Sequence, residues 1–167
     1  IVQDHNMGTA FVEAGLHVAN GLIVLAIFQG SGSLLSGLVF WALAQVLLLV
    51  ASRLYEGVTP HNVHTELERD NAAVGLAFCG VLIGFGNIIS VAVAGDFIGW
   101  KEGVQAFLIE ALFGLAVLLL IKKITVLLLA SGVSLSDEQT EEKPNLGAGL
   151  VEALGYIGGS MLVIWVL

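Results

Sequence analysis

The chain has 167 residues and a formal net charge of −8, and 57% of its residues are hydrophobic while only 12% are charged. Its mean hydropathy of +0.94 lies far above that of a water-soluble domain with a polar surface, which indicates that lipid is the solvent. With six Lys and Arg residues in total, the sequence also excludes nucleic acid as a partner, because neutralising phosphates requires clustered positive charge.

Apolar stretches long enough to cross a hydrocarbon core of about 30 Å, at about 20 residues per crossing, occur repeatedly along the chain. We predict five membrane-spanning helices, and they cover residues 7–29, 34–51, 72–94, 104–130 and 146–167. The predicted fold class is therefore all-α, a polytopic transmembrane helical bundle of five spans, and the lipid bilayer is the first partner that the sequence implies.

Three segments that each begin with an asparagine resemble one another. Asn6, Asn71 and Asn145 each end a polar stretch and open an apolar helix, which suits a helix N-cap whose side-chain oxygen accepts a free backbone N–H. The similarity predicts tandem helical-hairpin repeats. The first repeat with its cytoplasmic loop is residues 1–70, the second with an acidic cytoplasmic loop is residues 71–144, and residues 145–167 form a final half-repeat helix.

Small residues recur four apart in all three segments, and such rows let helix backbones approach closely in lipid. We therefore predict that spans one, three and five form a tight inner layer, whereas spans two and four, which are richer in Leu and Val, face lipid. The predicted packing residues are Ala10, Ala14, Gly15, Gly75, Cys79, Gly80, Gly84, Gly149, Ala153, Gly155 and Gly159.

Positive charges in short loops predict the orientation of the chain in the membrane. The residues on one side are Arg53, Arg69, Lys122, Lys123 and Lys143, which flank the connections after spans two and four. The other side has only Lys101, so we expect a cytoplasmic N-terminus. Acidic residues such as Asp4 and Asp70 precede spans one and three and favour helix N-termini on one common side.

Residues 53–62 and 66–84, where Asn71 opens a glycine-rich helix, resemble the YjfL-like bacterial inner-membrane proteins, a family catalogued as domain of unknown function 350. The similarity is closest over residues 41–95, where Gln45 lies eight residues before Arg53. The resemblance implies a multi-pass protein of the bacterial inner (cytoplasmic) membrane, with cytoplasmic stress-response proteins as partners. It supplies no activity or catalytic residue.

Compared with the usual four-helix member of that family, this chain resembles one with an additional copy in front, at residues 4–52. In the family that this chain resembles, a helix precedes the first asparagine segment. The resemblance therefore also implies a further span upstream of Ile1.

Polar side chains inside a span are costly in lipid and usually face other helices or a water-filled cavity. The intramembrane polar candidates are Glu13, His17, Asn20, Gln45, Glu110, Glu152 and Tyr156. Glu13, His17 and Asn20 share one face of span one, because residues four and seven apart lie on one side of a helix. Glu152 and Tyr156 take the positions of Glu13 and His17 in the last segment.

Two hypotheses for the function remain open. The first is an oligomerising scaffold or accessory subunit of an inner-membrane complex that recruits partners through residues 56–70 and 134–143. The other interpretation of residues 134–143 is a solvated linker. The alternative is a proton or cation pathway that uses Glu13, Glu110 and Glu152. The packing rows occur in all three segments, whereas Phe78 and Leu82 replace the polar pair in the middle one, which favours the scaffold.

We expect neither an enzyme nor a cofactor, because the sequence lacks a nucleophile turn with its partners and a phosphate-cradling loop beside a Lys. His61 and His64 without further ligands are too few for a metal site. Cys79 lies inside an apolar run and is expected to be a packing residue. The expected partners are further copies of the chain or other membrane subunits.

Overall fold

The computed structural model describes residues 5–129, 132 and 134–166, so Asp4, Ala130 and Leu167 of the sequence analysis lie outside the described residues. The helices are α1 (Met7–Gln29), α2 (Leu34–Val58), α3 (Val63–Glu68), α4 (Ala72–Val93), α5 (Trp100–Leu129), α6 (Leu135–Thr140) and α7 (Leu146–Val166). Five of them are long and apolar enough to cross a membrane. The predicted all-α bundle of five spans is confirmed.

The spans follow the apolar stretches, but two of them extend beyond the predicted ends. Helix α2 continues to Val58 and α5 begins at Trp100. The backbone hydrogen bonding of a helix can continue through polar residues beyond the apolar segment. Residues 134–143, for which a flexible linker was one interpretation, include the short helix α6, which begins with the side chain of Ser134 as N-cap.

Helix α4 is the centre of the bundle, with α1 against one side and α7 against another. Its apolar residues Val81, Ile88 and Ile89 are fully buried. Helices α2 and α5 lie further out and expose large residues such as Leu49 and Ile109. The arrangement agrees with the prediction of an inner layer formed by spans one, three and five.

Glycines bring α4 into backbone contact with both neighbours. Gly75 packs against the backbone of Gly8 in α1, and Gly80 packs against the backbone of Ala153 in α7. A Cβ atom at Gly15 would lie 2.8 Å from the Cα of Cys79, closer than real Cβ atoms approach backbone. Since lipid tails are as apolar as the side chains, this close packing is the principal attraction that holds spans together.

The predicted asparagine caps are confirmed at all three helix starts. Asn6 accepts from the backbone N–H of Thr9 (2.7 Å), Asn71 from those of Ala73 and Val74, and Asn145 from that of Gly147 (2.9 Å). Two of the caps also donate their side-chain amides across the fold, Asn6 to the carbonyl of Leu67 (2.7 Å) and Asn71 to the carbonyl of Gln139 (2.8 Å).

These bonds gather the starts of α1, α4 and α7, together with α3 and α6, at one end of the bundle, which we call the cap end. At the opposite end, the connections between α1 and α2 and between α4 and α5 meet. There the Ser31 hydroxyl donates to the Asp96 carboxylate (2.6 Å), and the Phe97 N–H donates to the Ser31 carbonyl (3.1 Å). The five spans thus run alternately up and down between these two ends.

Candidate functional site

A buried carboxylate near the cap end is the centre of the most polar site inside the bundle. Glu152 of α7 is only 4% exposed, and its Oε1 lies 2.8 Å from Nζ of Lys122 on α5. Its Oε2 accepts from the side-chain amide of Gln139 on α6 (2.7 Å), and the Tyr55 hydroxyl of α2 donates to Oε1 (3.4 Å). Side chains from three other helices therefore converge on one carboxylate.

Aromatic rings enclose the ion pair on its membrane side. Tyr55 stacks on Phe78 with ring centroids 5.5 Å apart, and Tyr156 meets the rings of Tyr55 and Phe85 edge to face. Lys122 Nζ also lies 5.5 Å from the centre of the Tyr156 ring, within the range of a cation–π interaction. Water is kept away on this side, which strengthens the attraction between Lys122 and Glu152.

His61, in the connection between α2 and α3, borders the same site. Both of its ring nitrogens are inaccessible, and among the described residues neither has a hydrogen-bond partner. Burial lowers the pKa of the His61 imidazole from its ordinary value, while the carboxylates of Glu152 and Glu66 act in the opposite direction. The neutral imidazole is the form that this position favours.

Chemically, the site can hold one negative and one positive charge in fixed positions and can exchange protons among a carboxylate, an amine and two phenols. The stability that a buried ion pair gives the fold depends strongly on both partners, because loss of one leaves the other charge without compensation. Within the described part of the chain no group of three or more His, Cys, Asp or Glu residues is arranged to hold a metal ion.

The polar residues of α1 lie elsewhere. Glu13 and His17 face away from the bundle, with side chains 53% and 81% exposed and a separation of 3.9 Å between Oε2 and Nε2. Asn20 turns toward α2 instead, where its Oδ1 accepts from the indole N–H of Trp41 and from the amide of Gln45, both at 3.1 Å. The predicted stripe is therefore divided between an outer surface and a contact between two helices.

The structure brings together some of the predicted site residues and separates others. Glu152 lies beside Tyr156, and Asn20 lies beside Gln45. Glu110 is exposed and lines a cavity near the opposite end of the bundle. No hydrogen bond or ion pair among the described residues joins Glu13, Glu110 and Glu152 to one another.

The predicted packing residues divide in the same way. Those at the contacts of α4 with α1 and α7 are Gly15, Gly75, Cys79, Gly80, Gly84, Gly149 and Ala153. Gly159 contacts α5, where a Cβ atom would lie 3.0 Å from Leu118. Ala14 is exposed, Ala10 is half-buried, and Gly155 has open space where a side chain would lie.

Sequence reasoning did not place Tyr55, Lys122 or Gln139 in this site, although these are the three side chains that contact the buried carboxylate. Lys122 resembles any basic residue at the end of a span, and Gln139 lies in a polar stretch that reads as a loop. The sequence nevertheless contains a matching pair of residues before two of the helices. The Asn71 amide donates to the Glu66 carboxylate (2.7 Å), and the Asn145 amide donates to the Glu138 carboxylate (2.9 Å). Aligning these pairs places Gln139 at the position of Leu67, but loops of unequal length conceal the alignment.

A family described as Domain of Unknown Function (DUF350) matches residues 30–167, which include α2 to α7 and leave α1 outside the matched range. Neither the curated proteins nor the solved structures yield a match.

Proposed function

We propose that this chain, which belongs to the DUF350 family, is a non-enzymatic scaffold of the bacterial inner membrane that assembles head to tail with further copies of itself. The observation that carries the proposal is the register in which α4 contacts its two neighbours. We number each residue by its distance from the asparagine that caps its helix, so that Asn6, Asn71 and Asn145 are at position 0. We call positions 2, 9 and 13 face A and positions 4, 8 and 15 face B.

Helix α1 uses face A against face B of α4. Gly8 at position 2 packs on Gly75 at position 4, and Gly15 at position 9 packs on Cys79 at position 8. Helix α4 then uses its own face A against face B of α7. The matching pairs there are Ala73 with Gly149 and Gly80 with Ala153, again positions 2 with 4 and 9 with 8.

The third contact differs between the two interfaces. Ala19 at position 13 meets Gly86 at position 15, whereas Gly84 at position 13 meets Tyr156 at position 11. The two helix pairs therefore share their register near the cap end and diverge toward the other end. Two interfaces that share their register near the cap end and run in one direction are what tandem repeats produce, and they support the proposed repeat.

Among the described helices, such stacking leaves face B of α1 and face A of α7 without a packed neighbour. Face B of α1 contains Ala10, Ala14 and Gly21, and the last two are exposed. Face A of α7 contains Gly147, Leu154 and Gly158, and all three are exposed. The unused face A of one copy has the same register as the faces that pack on face B inside the chain, so a second copy is the occupant that these surfaces fit. A contact between unlike faces of two copies is heterologous and builds rings or open rows.

The charges on α1 support the same conclusion. Glu13 and His17, at positions 7 and 11, flank face B and are exposed within a membrane-spanning helix. Exposing ionisable groups to hydrocarbon costs several kcal/mol, about 2.5–3.5 for a charge at the centre of a span. Coverage by another copy removes them from lipid, as the bundle does for Glu152 at the equivalent position of α7.

The test is the number of copies per particle in a bilayer. We expect single-molecule photobleaching of labelled chains in phosphatidylcholine liposomes to count several copies for the wild type. Ala14→Trp on face B of α1 and Gly158→Trp on face A of α7 each introduce a bulky ring at an exposed position, and each should reduce the count to one or two. Gly155→Trp, whose side chain also enters open space but lies on neither face, is the matched control and should assemble normally.

A wild type that remains a single copy at every protein-to-lipid ratio contradicts the assembly. So does equal loss of assembly in the Gly155→Trp control, because a general effect of added bulk would then explain the data. Cytoplasmic stress-response partners fit the same proposal, with α3 and α6 at the cap end as docking elements. Cross-linking followed by identification of the partners tests that part separately.

A proton or cation pathway is the second candidate, and the site around Glu152 favours it. A carboxylate, a lysine, two tyrosines and an imidazole without a hydrogen-bond partner among the described residues lie together near the cap end, and all of them carry exchangeable protons. Proton flux in liposomes that is present in the wild type and lost in Glu152→Gln, with Glu13→Gln unchanged, would support a pathway through the buried site. No flux in the wild type removes this candidate.

A further inference from the structure

We infer that the cavity at the end of the bundle opposite the caps binds an amphipathic organic cation, that is, a positive charge carried on an apolar body. The cavity has a volume of about 610 Å³ and lies among the ends of α1 and α4 and the beginnings of α2 and α5. This volume lies within the range of roughly 300–1,000 Å³ in which proteins bind small molecules. The inference is independent of the head-to-tail assembly, because none of the residues on faces A and B of α1 and α7 lines this cavity.

Aromatic rings form much of the wall. Phe40 meets Phe97 and Phe107 edge to face, with ring centroids 6.4 and 5.9 Å away. Trp41 adds a further aromatic side chain to the lining. Faces of aromatic rings attract cations through their quadrupole, most strongly where water is excluded. The wall therefore offers an apolar surface that favours one sign of charge.

The ionisable groups in the lining have that same preference. They are Asp96 and Glu110, and no Lys, Arg or His is among the lining residues. Asp96 is fixed by the hydroxyl of Ser31, which donates to its Oδ1 (2.6 Å). For Glu110 the described part of the chain provides no ion pair and no side-chain hydrogen bond, so its carboxylate is available to a ligand.

Glu110 also lies within a membrane-spanning helix. It follows Val104, where the apolar stretch of α5 begins, by six residues, which corresponds to about 9 Å of helix at a rise of roughly 1.5 Å per residue. That is about a third of a hydrocarbon core of about 30 Å, a depth at which a carboxylate without compensation is expensive. A cationic ligand would neutralise the Glu110 carboxylate at a depth where a charge without compensation is costly.

The lining decides against other occupants. Two carboxylates without a third ligand of the His, Cys, Asp or Glu type give no metal cage in the described residues. The head group of an anionic lipid would meet negative charge without a cation to bind it. Large exposed residues at the edge, such as Phe28, Leu34 and Ile98, show that the cavity opens toward the surface that lipid covers. A ligand that enters from there needs an apolar body.

The experiment compares two ions of nearly the same shape and opposite charge. Radiolabelled tetraphenylphosphonium is titrated onto the full chain in phosphatidylcholine nanodiscs, and unlabelled tetraphenylborate is tested as competitor. We expect saturable binding of the cation and no displacement by the anion up to about a hundredfold excess. Equal displacement by tetraphenylborate would show that the cavity accepts apolar bodies without regard to charge, as it would a lipid tail, and would overturn the inference.

Variants locate the binding. Glu110→Gln should weaken binding of tetraphenylphosphonium about tenfold or more, because it removes the carboxylate while keeping the volume. Asp96→Asn should have a smaller effect, since that carboxylate already accepts a hydrogen bond. Glu13→Gln, also an exposed intramembrane carboxylate but outside the cavity, is the control and should bind like the wild type. Unchanged binding in Glu110→Gln, or an equal loss in Glu13→Gln, contradicts the inference. The competition with tetraphenylborate needs no variant and decides the question even if Glu110→Gln does not fold.

Discussion

Helices α1 and α7 each carry a glutamate at the same position, but the glutamate of α1 is exposed and that of α7 is buried. Glu13 and Glu152 both follow their capping asparagine by seven residues, yet Glu13 is exposed and Glu152 is 4% exposed beside Lys122. The difference lies in the surroundings, because face B of α7 packs against α4, whereas no helix among the described residues covers Ala14 and Gly21 on face B of α1. The buried carboxylate is part of the fold, and the exposed one is available for the proposed assembly.

The largest loss of stability is expected at the buried carboxylate. Glu152→Gln leaves Lys122 without its partner and weakens two hydrogen bonds, so we expect the free energy of unfolding to fall by about 2–4 kcal/mol. Titration with SDS in mixed micelles, followed by circular dichroism, measures it. Replacing both residues, Lys122→Met with Glu152→Leu, should recover at least half of the loss, since no charge is then left alone. A single variant as stable as the wild type would contradict the assigned ion pair.

The next effect concerns the glycine contact that holds α7 against α4. Gly80→Val should lower the free energy of unfolding by about 1–3 kcal/mol, because the new side chain meets the backbone of Ala153 and the helices must separate. Gly155→Val makes the same chemical change where open space surrounds the position. The same SDS titration should leave that variant within about 0.5 kcal/mol of the wild type. Equal losses in both would show that added side-chain bulk in general, and not the contact with Ala153, decides the loss.

Acidification should sharpen the difference between a buried and an exposed histidine. Because burial lowers the pKa of His61, the unfolded chain binds more protons at this residue than the folded chain does. The contribution of His61 to stability is therefore complete above its ordinary pKa of about 6.5 and is lost progressively as the pH falls below that value. We expect His61→Gln to reduce the fall of the unfolding temperature between about pH 7.5 and pH 5.

The matched control for that experiment is His64→Gln, because His64 is exposed and pairs only with Glu68 on its own short helix (3.3 Å). Thermal unfolding of this variant should follow the pH dependence of the wild type. Identical curves for His61→Gln and the wild type would rule out a contribution from the buried imidazole.

The smallest effect is expected at the exposed carboxylate. Glu13→Gln should change the free energy of unfolding of the isolated chain in detergent by less than about 0.5 kcal/mol, because its partner His17 lies 3.9 Å away on an exposed surface. The SDS titration used for Glu152→Gln gives a direct comparison. A loss as large as that of Glu152→Gln would mean that α1 does not leave this side chain outside the bundle.

Much of the architecture follows from local sequence. Spans appear as apolar stretches and helix starts as asparagines, since each depends on a few neighbouring residues. The environments of Glu13 and Glu152 could not be predicted, because the two have the same local sequence context and differ only in which helices lie beyond them. Lys122 illustrates the same limit, since its position at the end of a span suits both a loop charge and the partner of a buried carboxylate.

Cross-linking between copies tests the head-to-tail assembly most directly. In a Cys79→Ala background, chains with Ala14→Cys on face B of α1 are mixed in liposomes with chains with Leu154→Cys on face A of α7, at positions 8 and 9. Those are the positions at which Gly15 meets Cys79 and Gly80 meets Ala153 inside the chain. We predict a disulfide-linked dimer in the mixture and little in either variant alone. Efficient cross-linking of Ala14→Cys to itself, with no mixed dimer when both variants are present, would contradict the assembly.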